Sequence, residues 1–354
     1  MAGHEYENTV RRFYSLFSCF LYPIPDSYIY SAFIDGFMQI GRLKLKGNIL
    51  LAPMADVTNL PFRLLCKKYG AALVYSEMVD ADGVIYHSRK TISRIVSCKD
   101  EQTLGIQLSG SSAERLKLAA RLVEEQHGPD LIDINFGCPA RHIVKKGCGA
   151  ALMDNPQLMA GIVGQVLDAV SVPVTAKLRV YGNVDRTLKV VRMLEDAGAS
   201  AITLHARTQH QNYAYKANWD VIRAVKEELS IPVIANGDIA DELSAQTVLD
   251  QTHCDGIMIG RAAIGNPYIF RQIGHYLETG EFLRSWDVNE QLDDFFEYME
   301  LAGKYDMLDY AGVKLHAKWF TRGIEGGRLL RTKINMARDI NELIGIMGGF
   351  ISDR

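Results

Sequence analysis

From Asn48 onward, short apolar runs alternate with amphipathic stretches, and this repeated strand-then-helix order constrains the fold more than any other feature of the chain. The strand candidates are Ile49 to Pro53, Ala72 to Met78, Leu104 to Leu108, Leu131 to Asn135, Val174 to Arg179, Ala201 to His205, Val233 to Asn236 and Gly256 to Gly260. Each is a continuous apolar run, as a strand covered on both faces requires. Between them, stretches such as Ala113 to Gln126, Asp185 to Ala197 and Trp219 to Glu228 repeat apolar residues at spacings of three and four. Eight such units predict an α/β protein built as a (β/α)8 TIM barrel rather than an open doubly wound sheet. After Gly265-Asn266-Pro267 only helical patterns continue, through Asn289 to Lys304, Tyr310 to Gly323 and Leu329 to Leu343. The predicted organisation is a barrel over 43–265 followed by a small all-helical C-terminal domain over 266–354.

Residues 1–42 form an N-terminal extension to this pattern. Within 1–37, Arg11-Arg12 precede an apolar aromatic run from Phe13 to Tyr22, and Pro23 and Pro25 follow. A secretory signal has that order, but no small-residue cleavage site follows. The competing readings are an added helix packed on the core and a start upstream of an ancestral Met38. No run reaches the 18 or so apolar residues of a membrane-spanning helix. The six cysteines are scattered without CxxC pairs, so neither a disulfide framework nor a metal site is indicated, and a reducing cytoplasm is the expected compartment. A formal net charge of −3 argues against indiscriminate nucleic-acid binding, so any such partner must meet a local basic patch.

In a barrel of this kind the reactive groups gather at the C-terminal ends of the strands. Two successive strands end in Asn236-Gly237-Asp238 and Gly260-Arg261, at the positions where backbone N–H groups of such barrels commonly hold a phosphate. Arg261 adds a cation there. A flat ring carried by that phosphate would lie across the strand tops, with Pro53 and Met54 against its face and Gln107 at its edge. Lys177 ends an apolar strand, where an ammonium needs electron-rich atoms such as the N1–C2=O edge of a flavin. His205 ends the next strand and is a candidate donor to the same ring. Asp133-Ile134-Asn135-Phe136-Gly137-Cys138-Pro139-Ala140 carries a thiol onto a Gly/Pro loop. On these residues alone, Cys138 reads as an acid, a nucleophile or an inert core thiol.

Taken together these segments resemble the tRNA-dihydrouridine synthase family, flavin-dependent barrel enzymes with a helical C-terminal domain. The resemblance rests on Ala52 through Arg63, Asn135 through Ala140, Gly147 through Leu152, Lys177-Leu178-Arg179, His205-Ala206-Arg207-Thr208, Asn236-Gly237-Asp238, Gly260-Arg261-Ala262 and Lys314 through Phe320. It implies non-covalent FMN, NADPH as reductant and a tRNA uridine as substrate. Hydride would reach C6 of uracil from reduced FMN, and Cys138 would protonate C5. A thiol with an ordinary pKa of about 8.5 is largely protonated at neutral pH and suits that role. Asn135 resembles the uracil-binding asparagine, although the same side chain is equally able to cap the strand end. Arg179 and Arg207 are candidates for gripping either the extruded nucleotide or the flavin phosphate. From Lys314 to Arg338, seven basic residues face the single Glu325, with Lys314, Lys318, Arg322 and Arg331 the candidates for tRNA contact. One departure stands out: the loop after Thr208 reads Gln209-His210-Gln211-Asn212-Tyr213, where family members often carry a basic residue. The alternatives are an FMN barrel oxidoreductase acting on a free pyrimidine and a tRNA-binding protein with an idle barrel. The basic C-terminal segment argues against the first, and a flavin-loaded protein that reoxidises with tRNA but not with free pyrimidines would exclude both.

Overall fold

The computed structural model describes residues 38–352; the readings offered for residues 1–37 lie outside the described residues. Its centre is a ring of parallel strands: β1 (Ile49–Leu51), β2 (Val74–Tyr75), β3 (Leu104–Ser109), β4 (Leu131–Phe136), β5 (Val174–Arg179), β6 (Ile202–His205), β7 (Val233–Asn236) and β8 (Gly256–Ile259). Neighbours pair in the order β1-β8-β7-β6-β5-β4-β3-β2, and a parallel bridge between Leu50 and Leu73 brings the two ends together. The barrel expected from the sequence rhythm is therefore present.

Strand period sorts the side chains into two cores. Outward-facing residues such as Leu51, Ile106, Ile132, Ile134, Val174 and Leu204 pack against the surrounding helices. A second cluster, including Leu50, Leu73, Tyr75, Leu131, Ala201, Ile234 and Met258, fills the lower barrel interior. Gly105 makes room for it, because a Cβ there would stand 2.7 Å from the Tyr75 ring. Toward the top the inward positions turn polar, running Leu131, Asp133, Asn135 along β4 and Ala201, Thr203, His205 along β6. The apolar runs of the sequence thus hide an inward ladder that changes from hydrocarbon to hydrogen-bonding groups.

The bottom of the barrel is closed by an antiparallel hairpin of Met38–Ile40 with Leu43–Leu45. Met38, Ile40 and Leu45 join the interior cluster, and Gly41 turns the hairpin at φ +55° beside Pro173. Strand structure is present from Met38, ahead of the predicted barrel boundary at residue 43, whereas the strand and helix rhythm is readable only from Asn48. The second predicted strand, Ala72 to Met78, is also shorter than expected. It breaks after Tyr75, where Ser76 turns its hydroxyl to Glu77 O (2.8 Å), and pairing with β3 resumes at Val79–Asp80.

The C-terminal region is helical, as the sequence pattern indicates. Helices Val288–Lys304, Tyr310–Phe320, Gly327–Met336 and Ile340–Ser352 follow Ile269–Thr279. The last predicted helix, Leu329 to Leu343, is divided at 337–339. There Lys314 Nζ takes the carbonyls of Asn335 (2.8 Å) and Ala337 (2.9 Å), and the Asp339 carboxylate caps a new helix at Glu342 N (2.8 Å). This region packs on barrel helix Leu60–Lys68: Asn59 Nδ2 donates to Tyr298 Oη at 2.9 Å, and Lys68 and Tyr69 both bind Asp294. Gly265 is obligatory at the junction, at φ +69° with Trp319 O 2.4 Å from where a Cβ would sit.

His316 lies inside that interface, fully buried, stacked on Tyr298 at 4.1 Å and 5.7 Å from the Phe62 ring. Burial pulls its pKa from 6.5 down to about 3. The unfolded chain therefore binds a proton below pH 6.5 that the folded chain refuses, and stability falls as pH drops from 6.5 toward 3. His316→Phe should remove this slope. Its stability relative to wild type should improve by up to about 1.4 kcal/mol per pH unit below 6.5, and stay level above pH 7, in denaturant titrations.

Candidate active site

A cavity of about 560 Å³ opens at the C-terminal ends of the strands. Pro53, Met54, Gln107, Asn135, Cys138, Lys177, Arg179, His205, Asn236, Gly237, Asp238, Gly260 and Arg261 all line it, so the barrel residues singled out in the sequence converge, with the exception of Arg207. Lys314, Lys318, Arg322 and Arg331 lie elsewhere, on the helical region.

The thiol is positioned by a chain of hydrogen bonds inside the barrel. The buried Asp133 carboxylate accepts from Thr175 Oγ1 (2.7 Å) and Gln107 Nε2 (2.6 Å). Gln107 Oε1 accepts from Asn135 Nδ2 (2.9 Å), and Asn135 Oδ1 accepts the N–H groups of Gly137 (3.2 Å) and Cys138 (3.0 Å). Asn135 is therefore a cap on the strand end, one of the two uses left open by the sequence. One of its N–H bonds remains for a group in the cavity. Ala150 N also donates to Cys138 O (3.0 Å), and Gly149 at φ +60° leaves no room for a Cβ beside that carbonyl. The second glycine segment, Gly147 to Leu152, thus buttresses the thiol loop from behind.

Opposite the thiol loop, Asn236 organises the cationic side. Its Nδ2 donates to Met258 O (2.7 Å), which turns Oδ1 toward Lys177 Nζ (3.0 Å) and His205 Nδ1 (2.9 Å). His205 must therefore carry its proton on Nδ1. Burial, reinforced by the charges of Lys177 and Arg179, pulls its pKa to about 3, so it is neutral at physiological pH. Burial also lowers the pKa of Lys177, with the Asp133 carboxylate pulling the other way, and raises that of Asp133. Among the described residues Lys177 has one hydrogen-bond partner, which leaves two further donors for a group in the cavity.

Beyond this, β7 and β8 end in turns without bulk: Gly237 sits at φ +116° and Asp238 at φ +57°. Asp238 pairs with Arg207, which keeps its carboxyl below the usual range, and with Arg261 at 3.4 Å. Arg261 lies 3.8 Å from the Tyr213 ring centroid.

Arg179 and Arg207, both buried, hold loops. Arg179 donates to Gly137 O (3.0 Å), Thr208 O (2.9 Å) and Gln211 O (3.2 Å), while Arg207 donates to Tyr215 O (2.8 Å) besides Asp238. Lys314 has all three ammonium donors engaged, by Tyr310 Oη, Asn335 O and Ala337 O, and Arg331 donates to Thr321 O. Arg322 is exposed and Lys318 half-buried. Sequence reasoning missed Arg63, fully buried, which ties the β1 loop to 96–101 through Thr58 O (2.8 Å), Val96 O (2.7 Å) and Glu101. It also missed Tyr213 and Met78 on the cavity wall. A cluster of an arginine, a tyrosine and an acid far apart in sequence leaves no local signal. Among the described residues, no group of three or more His, Cys, Asp or Glu could hold a metal ion, and no helix is long and apolar enough to cross a membrane.

A parallel barrel with a thiol, a buried ammonium and a neutral imidazole around one cavity at the strand tops defines a barrel enzyme. The family model "Dihydrouridine synthase (Dus)" matches residues 50–345, and the chain belongs to the dihydrouridine synthase family, which makes it an oxidoreductase. It is 37% identical to tRNA-dihydrouridine synthase B of Pseudomonas putida over 321 residues, 90% of this chain and 95% of that one. Identity to the probable tRNA-dihydrouridine synthase of Rickettsia conorii is 39%, covering 85% and 92% respectively. For the Escherichia coli tRNA-dihydrouridine synthase B it is 37%, covering 89% and 99%. Among solved structures, an NCR variant from Zymomonas mobilis superposes with TM-score 0.52 at 16% identity over 74% of this chain and 96% of that one. Histamine dehydrogenase from Rhizobium sp. 4-9 does so with TM-score 0.52 at 12% identity, over 80% and 50%. These distant structures share the fold.

Asn135→Ala should free the thiol loop. The lost cap leaves two N–H groups without their acceptor, at a cost of about 1–3 kcal/mol. Hydrogen exchange should speed up at the Gly137 and Cys138 amides while the amides of β4 remain protected.

Proposed function

We propose that this chain is a tRNA-dihydrouridine synthase that holds FMN non-covalently, is reduced by NADPH, and converts a uridine of tRNA to 5,6-dihydrouridine. The observation that carries the reading is that one cavity joins the Cys138 loop to the Lys177, His205 and Asn236 cluster. The names of the relatives that match over most of this chain support the same substrate and product.

The residues present fit a phosphorylated flat ring. The Gly237 and Gly260 turns would hold the phosphate through backbone N–H groups, with Arg261 beside them; Asp238 contributes its backbone, since its carboxylate is engaged by Arg207 and Arg261. Pro53 and Met54 would cover one face of the ring. Lys177 would place its two remaining donors on the pyrimidine edge, with neutral His205 beside it. When bound, the flavin supplies the hydride that uracil C6 requires.

The chain's own residues do the rest. Cys138 donates the proton to C5 from the opposite face, and the Asn135 cap keeps its loop in place for that transfer. The remaining Asn135 N–H and the unengaged guanidinium donors of Arg179 would bind the base edge. Arg207 braces the Tyr215 and Asp238 loops around the phosphate turn. The target base must leave its stack to reach the barrel mouth, at a cost of a few kcal/mol that backbone contacts elsewhere offset. Those contacts fall to the helical region, through Lys318 and Arg322 together with the exposed Arg328 and Lys333. Lys314 and Arg331 act there as braces that hold the helices in register.

Purified protein should carry FMN and, once reduced, reoxidise with tRNA but not with free pyrimidines; a colourless protein that binds no flavin would refute the reading. Cys138→Ala should retain flavin while turnover on tRNA falls at least 100-fold, in line with the contribution of general acids. Dihydrouridine mapping in tRNA from cells lacking the protein should show one position reverting to uridine.

A further inference from the structure

A second cavity, of about 240 Å³, lies outside the catalytic one, and its walls include Tyr181, Gly182, Asp154, Arg186, Gln209 and His210. The two are neighbours along the chain. Lys177, Leu178 and Arg179 line the first, and Val180, Tyr181 and Gly182 line the second. They also share a partition: Arg179 holds the carbonyl of Thr208 at 2.9 Å, and Thr208 itself is on the wall of the second cavity. Anything entering the second cavity sits one short step from whatever occupies the first.

This pocket presents a flat platform with polar edges. The Tyr181 hydroxyl donates to Met153 O at 2.6 Å, which fixes the ring. The Arg186 guanidinium lies 4.6 Å from the ring centroid, and the side chain is exposed at the cavity rim. An aromatic ring and a guanidinium plane are the surfaces on which unstacked bases settle. The volume is below the roughly 300–1,000 Å³ of pockets for drug-sized ligands, so it has room for a single ring system. The Asp154 carboxylate accepts only: it can take an N–H from a base edge, and it repels a phosphate. The 209–213 loop carries neither lysine nor arginine, so Arg186 is the one lysine or arginine on the pocket wall, set against the Asp154 carboxylate.

We infer that this pocket is a subsite for an unpaired nucleobase, the one adjacent in the RNA strand to the uridine held over Cys138. The inference rests on the RNA substrate proposed above and adds a base-reading contact on the barrel to the backbone contacts of the helical region. The adenine of a dinucleotide reductant has the same chemistry, and the experiment separates the two sources.

Arg186→Ala and Arg186→Lys are compared with wild type for binding to substrate tRNA and to the same tRNA made abasic in turn at each neighbour of the target uridine. Both variants should bind intact tRNA 5- to 20-fold more weakly and should match wild type on one of the two abasic RNAs. Flavin content should be unchanged, and dihydrouridine should still form at saturating RNA. If Arg186→Lys retains full affinity, the contact is charge alone and the inference fails. It fails too if the loss persists on both abasic RNAs, or if the variants bind RNA normally and instead raise the KM for NADPH. Wild-type protein that forms no dihydrouridine would defeat the proposed function instead, a result read independently of the binding cycle.

Discussion

The site depends on one buried carboxylate. Asp133 lies inside the barrel among groups that have no water to turn to, and an unpaired charge there would cost several kcal/mol. Thr175 and Gln107 meet it directly, and Lys177 on the adjacent strand opposes its charge. Because Gln107 is committed to Asp133, its carbonyl must face Asn135; because Asn135 gives its N–H to Gln107, its own carbonyl must face the thiol loop. Each amide orientation is dictated by the one below it. The thiol loop inherits a geometry that begins two layers down in the core.

How much of this is legible in the sequence depends on the range of the signal. Strand period and the polar residues that end each run are local, and they locate β1 through β8 and nearly the whole cavity wall. The break after Tyr75 is not local, because Ser76 satisfies Gln107 N on the next strand (3.2 Å) as well as its own neighbour's carbonyl. The hairpin at 38–45 leaves no readable signal for a related reason. Three-residue strands are too short to show a period, and their apolar side chains are accounted for only by the barrel interior they enter.

Cations show the same limit most sharply. A run of lysine and arginine reveals charge but not which carbonyls lie within reach. Lys314 and Arg331 sit in the most basic stretch of the chain, yet they terminate helices of their own region. Arg179 and Arg207 lie at strand tops where an anion would be welcome, yet carbonyls of four residues and one carboxylate absorb most of their donors. The charge that remains at the surface, on Arg322, Arg328, Lys333 and Arg338 with the half-buried Lys318, is a smaller set than the composition implies.

The hairpin under the barrel carries a consequence of a different kind. With Met38, Ile40 and Leu45 packed into the floor, the interior below the polar layer is filled by apolar side chains, and the cavity lies above it at the strand tops. Whatever reaches the strand tops therefore arrives from the loop side rather than through the floor. A plugged floor therefore leaves the loops at the strand tops, and not the strands themselves, to decide what the site meets.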